Sequence, residues 1–215
     1  MTKNDPHAAI GVVRRGEPAG SAKAAIIMIH GRGASATSIL RLTDQIDQTG
    51  FTYLAPQAEG NAWYPNTFLA PRSSNEPFLS SALEAVDRLY GEVRAEGLRP
   101  EQIMLLGFSQ GACLALEYAA RHPRLYGGVV ALSGGLIGAN SELAGYEGDL
   151  GGSLVFLGCS DADPHIPKER VSASAEILRG LGAEVMLRLY QNTGHTVIAD
   201  EIDTVTKMMR SILTA

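Results

Sequence analysis

The sequence predicts an α/β fold: a mostly parallel central sheet with helices on both faces. Three observations carry this. Short apolar runs alternate along the chain with stretches whose apolar residues recur at helical spacing. The run at residues 103–106 is apolar throughout, as a strand covered on both faces is, whereas the last run alternates. Parallel neighbours also need crossovers, and the intervening helices supply them.

In chain order, the polar start reads as a flexible tail over residues 1–8, with a short strand at 10–14. Strands follow at Ala24–Ile29 and 51–55. Leu79, Leu83, Val86, Leu89, Tyr90 and Val93 then give a helix with one apolar face. The strand at 103–106 leads into a mostly buried helix, Gln110–Arg121, followed by strands at Gly128–Leu132, 153–157 and 185–190. In the last of these Val185, Leu187 and Leu189 alternate with their neighbours, which suits the sheet edge. Ile198, Ile202, Val205, Met208, Met209 and Ile212 form the apolar stripe of a final helix. Two long loops, 56–77 and 133–152, are the segments expected to carry binding groups, and no large lid domain is evident.

With 215 residues, 45% hydrophobic and 19% charged, the chain fits one well-filled domain over 1–215. A net charge of −5 without a basic stripe gives nothing to attract nucleic acid or an anionic membrane surface. No segment reaches the roughly 18 apolar residues that a bilayer span requires, and the start lacks the apolar core of a signal peptide, so the expected compartment is the cytoplasm without stable membrane insertion. Cys113 and Cys159 have no metal-type spacing and read as small core hydrophobes, Cys113 facing packing rather than a cleft. No metal or organic cofactor is expected.

Gly107-Phe108-Ser109-Gln110-Gly111 sits where a buried strand meets an apolar helix. Such a junction demands a sharp, strained turn with small residues on either side, and it holds Ser109 forward as a nucleophile. A serine hydroxyl needs a base, and the base needs a carboxylate to fix its tautomer. Three histidines follow. His122 precedes Pro123 and suits a helix cap, His165 lies in the loop that would supply the acid, and His195 follows the sixth main strand at the carboxyl edge of the sheet. His195 is therefore the expected base. Asp161 and Asp163 both follow the fifth main strand; Asp163, pinned by Pro164, is favoured as the acid, Asp161 suits bonds to its own loop's amides, and Asp149 is a third choice. The oxyanion needs backbone donors: the Gln110 amide at a helix N-terminus, and the Arg32 amide in His30-Gly31-Arg32-Gly33. His30 reads as a buried support of that loop, and the Arg32 side chain as solvated.

These motifs, together with Ala55-Pro56, Trp63-Tyr64, Asp163-Pro164 with Ile166-Pro167, and Gly194-His195, resemble the phospholipase/carboxylesterase family of α/β-hydrolases over nearly the whole chain. The resemblance implies the α/β-hydrolase fold, a triad of Ser109, Asp163 and His195, oxyanion amides at Arg32 and Gln110, and a homodimer. The expected activity is hydrolysis of short- to medium-chain carboxylic esters through an acyl-enzyme, with lysophospholipid or acyl-protein thioester substrates as the alternative. Trp63, Tyr64, Phe68, Leu69, Leu136 and Ile137 could line an apolar acyl pocket, or Trp63 and Phe68 could merely pin their loop. A reading of another class is a binding protein that captures an ester without turnover.

Overall fold

The computed structural model describes residues 5–214 apart from 19 and 47. Seven strands form one sheet: β1 (Val12–Gly16), β2 (Ala24–Ile29), β3 (Phe51–Pro56), β4 (Ile103–Phe108), β5 (Gly128–Leu132), β6 (Leu154–Ser160) and β7 (Glu184–Tyr190). Their spatial order is β1-β3-β2-β4-β5-β6-β7; β1 pairs antiparallel with β3 and every other pair is parallel. Six α-helices connect them: α1 (Ala36–Leu40), α2 (Thr43–Ile46), α3 (Phe78–Ala95), α4 (Gln110–Arg121), α5 (Lys168–Gly180) and α6 (Ala199–Thr214). This is the α/β-hydrolase architecture expected from the sequence.

The two faces of the sheet follow from the two-residue alternation of a strand. Ala25, Ile27 and Ile29 of β2, with Ile103 and Leu105 of β4, meet α3, α4 and α5 in one core. Ala24, Ile26 and Met28, with Met104 and Leu106, meet α1, α2 and α6 in the other. The edge position expected for the last strand is where β7 lies; its burial alternates from Glu184 to Leu187, but Arg188 is half-buried and Leu189, expected on the inner face, is exposed. Helix α5 (KERVSASAEILRG) escapes sequence reading because its apolar face is thin: only Val171, Ala175 and Leu178 are buried hydrophobics.

Strand order reverses around β2. The chain leaves β2 towards β3 on one side, and β4 onward builds on the other, so the loops after β2 and β4 diverge and open a crevice at their carboxyl ends. Register brings Ile29 beside Gly107, Phe108 beside Leu132 and Ser160 beside Tyr190, which aligns the ends of β2, β4, β5, β6 and β7 along one rim.

The tail expected over residues 1–8 needs correction where it is described. His7 is fully buried; its amide donates to Ser81 Oγ at 2.7 Å, and its ring accepts from the Glu59 amide at 3.2 Å and donates to the Trp63 carbonyl at 3.0 Å. A histidine with both ring nitrogens satisfied can be buried despite polar neighbours in sequence. Residues 1–4 lie outside the described residues. No helix among the described residues is long and apolar enough to cross a membrane.

Candidate active site

At the junction of β4 and α4, Ser109 has φ +55° and ψ −119°, a conformation that L-residues avoid and that costs on the order of 1–3 kcal/mol. Its flanking glycines are obligatory. A Cβ on Gly107 would stand 2.1 Å from the Gly111 carbonyl oxygen, and one on Gly111 would stand 2.1 Å from that of Ile29. The turn is held by the Ser109 amide on the Leu132 carbonyl at 2.9 Å and the Cys113 amide on the Ser109 carbonyl at 3.0 Å.

The loops after β6 and β7 bring Asp163 and His195 to this turn. His195 Nε2 is 2.9 Å from Ser109 Oγ, and Nδ1 is 2.7 Å from Asp163 Oδ2. A carboxylate can only accept, so the proton sits on Nδ1 and leaves Nε2 free to accept from the serine hydroxyl. The other carboxylate oxygen, Oδ1, accepts from the amides of His165 at 2.8 Å and Ile166 at 3.1 Å, and the Cys159 thiol lies 3.8 Å from Oδ2. Burial by itself would raise the Asp163 carboxyl, but the His195 bond and charge, with the two amides, hold it below the usual range. Burial pushes the neighbouring Cys159 thiol up to about 12, so it stays protonated.

The loop-amide role expected of Asp161 thus belongs to Asp163. Asp161 instead accepts from the Asn192 amide at 2.9 Å and ties the β7 turn to the β6 loop. His122 ends α4 as expected, its amide and Nδ1 both on the Tyr118 carbonyl. Asp149, the third choice, accepts from the nearby Gly151 amide at 2.7 Å. His165 is brought closer than expected: its ring centroid lies 5.0 Å from that of His195.

The Gln110 amide opens α4 and the Arg32 amide lies in the loop after β2; no backbone or side-chain acceptor bonds either N–H among the described residues. His30 is the buried support that was expected. Its Nε2 accepts from the Ala58 amide at 3.1 Å, which leaves Nδ1–H to donate to the Gly31 carbonyl at 2.7 Å. The Arg32 side chain is not simply solvated. Its guanidinium donates to the carbonyls of Tyr64, Pro65 and Asn66 at 2.7, 3.0 and 2.8 Å. Gln110 clasps the same loop, donating to the Tyr64 carbonyl at 2.8 Å and accepting from the Trp63 amide at 2.9 Å. Two residues expected to contribute backbone N–H groups therefore also bind residues 63–66 through their side chains.

Ser109 and His195 open onto a cleft of about 540 Å³. Tyr64 and Phe68 line it as expected, with Phe108, Cys113, His165 and Ile166. The other expected pocket residues do not. Trp63 is fully buried and its indole N–H is bound to the His30 carbonyl at 2.8 Å, so it pins the loop. Leu69 packs against the α3/α4/α5 core. Leu136 and Ile137 are fully buried in that core, their amides bound to Ser174 Oγ and Glu117 Oε2, both at 2.9 Å. Cys113, expected to face packing, borders the cleft from α4, and burial pushes its thiol up to about 12.

The sequence profile of the phospholipase/carboxylesterase family matches residues 12–213. The chain belongs to this family. It is a serine hydrolase of the carboxylic ester class. A solved phospholipase/carboxylesterase from Dyadobacter fermentans superposes with a TM-score of 0.89 at 41% identity, covering 95% of this chain and 97% of that one. Acyl-protein thioesterase 1 of Saccharomyces cerevisiae is 26% identical across 90% of this chain and 95% of its own length. Acyl-protein thioesterase 1 of Gibberella zeae is 32% identical over 119 residues, a match spanning about half of either protein.

Proposed function

We propose that this family member is a carboxylesterase acting on short- to medium-chain esters through an acyl-enzyme, with Ser109 as nucleophile, His195 as base and Asp163 as its orienting carboxylate. The observation that carries this is the hydrogen-bonded run from Ser109 Oγ through His195 to Asp163, at 2.9 and 2.7 Å, beside a cleft of small-molecule size. His195 Nε2 takes the hydroxyl proton as Ser109 Oγ attacks the ester carbon, and the developing oxyanion is met by the amides of Arg32 and Gln110. The protonated imidazole then gives that proton to the departing alcohol, and water repeats the sequence on the acyl-serine. Asp163 stays ionised throughout.

A second reading, thioester hydrolysis, is favoured by likeness to proteins named acyl-protein thioesterases. The same atoms would serve, since only the leaving atom changes. Two free, buried cysteines suit the cytoplasm as the compartment.

Oxygen and sulfur esters of matched acyl length, assayed side by side, distinguish these readings. Native protein should hydrolyse p-nitrophenyl acetate and butyrate and be labelled stoichiometrically at Ser109 by a fluorophosphonate. Unchanged turnover in Ser109→Ala removes the mechanism, and binding without labelling or turnover favours simple capture.

A further inference from the structure

Acyl transfer splits the substrate in two. The acyl part stays on Ser109 while the bond from its carbonyl carbon to the alcohol oxygen or thiol sulfur breaks, and that atom leaves with the proton His195 had taken from Ser109. The leaving group therefore lies on the His195 side of the nucleophile, within reach of Nε2.

A second cavity, of about 250 Å³, adjoins the larger cleft behind Phe108; His195 and Ser109 line the larger cleft, and Val197, two residues past His195, lines this one. Ile39 and Leu42 from α1 and the turn after it, Val197 from the His195 loop, and Phe108 from the elbow give it apolar walls. It shares Gly31, Ala34 and Phe108 with the larger cleft, whereas Tyr64, Phe68 and Cys113 border the larger cleft alone. Phe108 stands between catalytic and apolar surfaces: its ring centroid lies 5.0 Å from that of His195. The cavity's one ring capable of charge, His30, already has both nitrogens bonded, to the Gly31 carbonyl and the Ala58 amide. Burial also lowers its tendency to ionise.

We propose that this cavity is the subsite for the alkyl or aryl portion of the leaving alcohol or thiol, with Phe108 as the partition from the acyl branch. The inference rests on the esterase reading above. It follows from three features: a wall supplied by the residue next to the nucleophile, a wall supplied by the loop of the proton donor, and a lining that is apolar apart from His30 and the Ser38 hydroxyl, both already hydrogen-bonded to backbone groups. An apolar cavity of about 150 Å³ is large enough for benzene, so this one takes a short alkyl chain or a single ring. Each methylene moved from water into it raises kcat/KM about fourfold until the space is filled.

The test uses two ester series on the native chain and on Leu42→Trp and Leu42→Ala. One series holds the acyl group at acetate and lengthens the alcohol from methanol to hexanol. The other holds p-nitrophenol and lengthens the acyl chain. In native protein kcat/KM should climb along the alcohol series. Leu42→Trp should lower the butyl-to-methyl ratio at least tenfold, Leu42→Ala should extend the climb to hexyl, and in both variants the acyl-length ratios should follow the native ones. If Leu42→Trp fails to fold, Leu42→Ala carries the test. A flat native alcohol series, or a Leu42 effect on acyl length in place of alcohol length, overturns the subsite and leaves the esterase reading intact. A native chain that turns over no ester removes both.

Discussion

Asp163→Asn tests the site at the level of a single proton. Asparagine is isosteric, but one of its two terminal atoms must be the NH₂ group. The structure dictates which one. Oδ1 accepts from the amides of His165 and Ile166 at 2.8 and 3.1 Å, and an NH₂ group facing two N–H donors would leave all of them unpaired. The asparagine oxygen therefore keeps those amides, and its nitrogen takes the place of Oδ2, which lies 2.7 Å from His195 Nδ1. Facing a donor, Nδ1 must become the acceptor, the proton moves to Nε2, and Nε2 can no longer accept from Ser109. The expected loss in kcat is about 10⁴-fold, or about 5.5 kcal/mol, while the fold and cleft persist. Turnover of p-nitrophenyl butyrate measures it, alongside a melting curve to show that the protein is folded. A loss below about a hundredfold in a folded variant would refute the tautomer reasoning. Asp163→Ala, which frees the imidazole from any forced tautomer, should then be no worse than Asp163→Asn.

Gln110→Ala keeps the backbone amide at the head of α4 but releases both side-chain bonds to residues 63–64; kcat/KM should fall by about 10- to 100-fold through misplacement of the cleft wall, which steady-state kinetics will read. Gly111→Ala forces a Cβ to within 2.1 Å of the Ile29 carbonyl and should destabilise by about 3 kcal/mol or more, whereas Gly91→Ala, exposed on α3 with nothing within 4 Å, should stabilise by about 0.5–1 kcal/mol. Thermal unfolding of the pair compares a glycine required by close approach with one that is not.

What could be read from sequence was what leaves a local trace. The elbow is visible because strand, turn and helix each impose composition: Gly107 and Gly111 are needed within five residues of one another, and the apolar runs on either side differ in length and period. His195 and Asp163 were legible because the carboxyl ends of parallel strands share one rim, so a place in the element order carries a place in space. Strand bounds came within a few residues for the same reason. The cleft was less legible. Leu136 and Ile137 sit in a glycine-rich loop that looks exposed, but Arg170 binds the carbonyls of Leu136 and Gly138 at 2.8 and 2.7 Å and draws that loop into the core. The side chains of Arg32 and Gln110 bind backbone carbonyls and an amide, groups every residue has, so their partners leave no sequence signature. Phe108 and His165 were visible as motif neighbours only; the ring contacts with His195 and the places on the cleft wall appear in the fold.

Two fully buried glutamates near the site are handled in opposite ways, and one of them gives a stability prediction with a definite sign. Glu117 in α4 is paired with Arg121 at 2.6 Å and Arg72 at 3.3 Å, and accepts from the Ile137 amide and the Tyr146 hydroxyl. Glu201 in α6 has no such cation among the described residues; it accepts from the Ile198 amide at 3.0 Å, and its other oxygen lies where a side chain on Gly158 would be, 2.2 Å from the Cβ position. Burial pushes the Glu201 carboxyl up to about 7. A folded-state value above the unfolded one means that the native protein binds the proton more tightly. The stabilisation is then full below the unfolded value of about 4.5 and is lost as pH rises through about 7. Asp163, held low, contributes in the reverse direction, its share being lost as acid protonates it. Glu201→Gln keeps an acceptor for the Ile198 amide and never ionises, so the variant should be the more stable protein at pH 8.5, by on the order of 1–3 kcal/mol, with the difference shrinking towards pH 5. Urea unfolding across that range measures it, and a difference that is constant with pH, or that grows towards acid, would show that the Glu201 carboxyl ionises at least as readily in the folded chain as in the unfolded one.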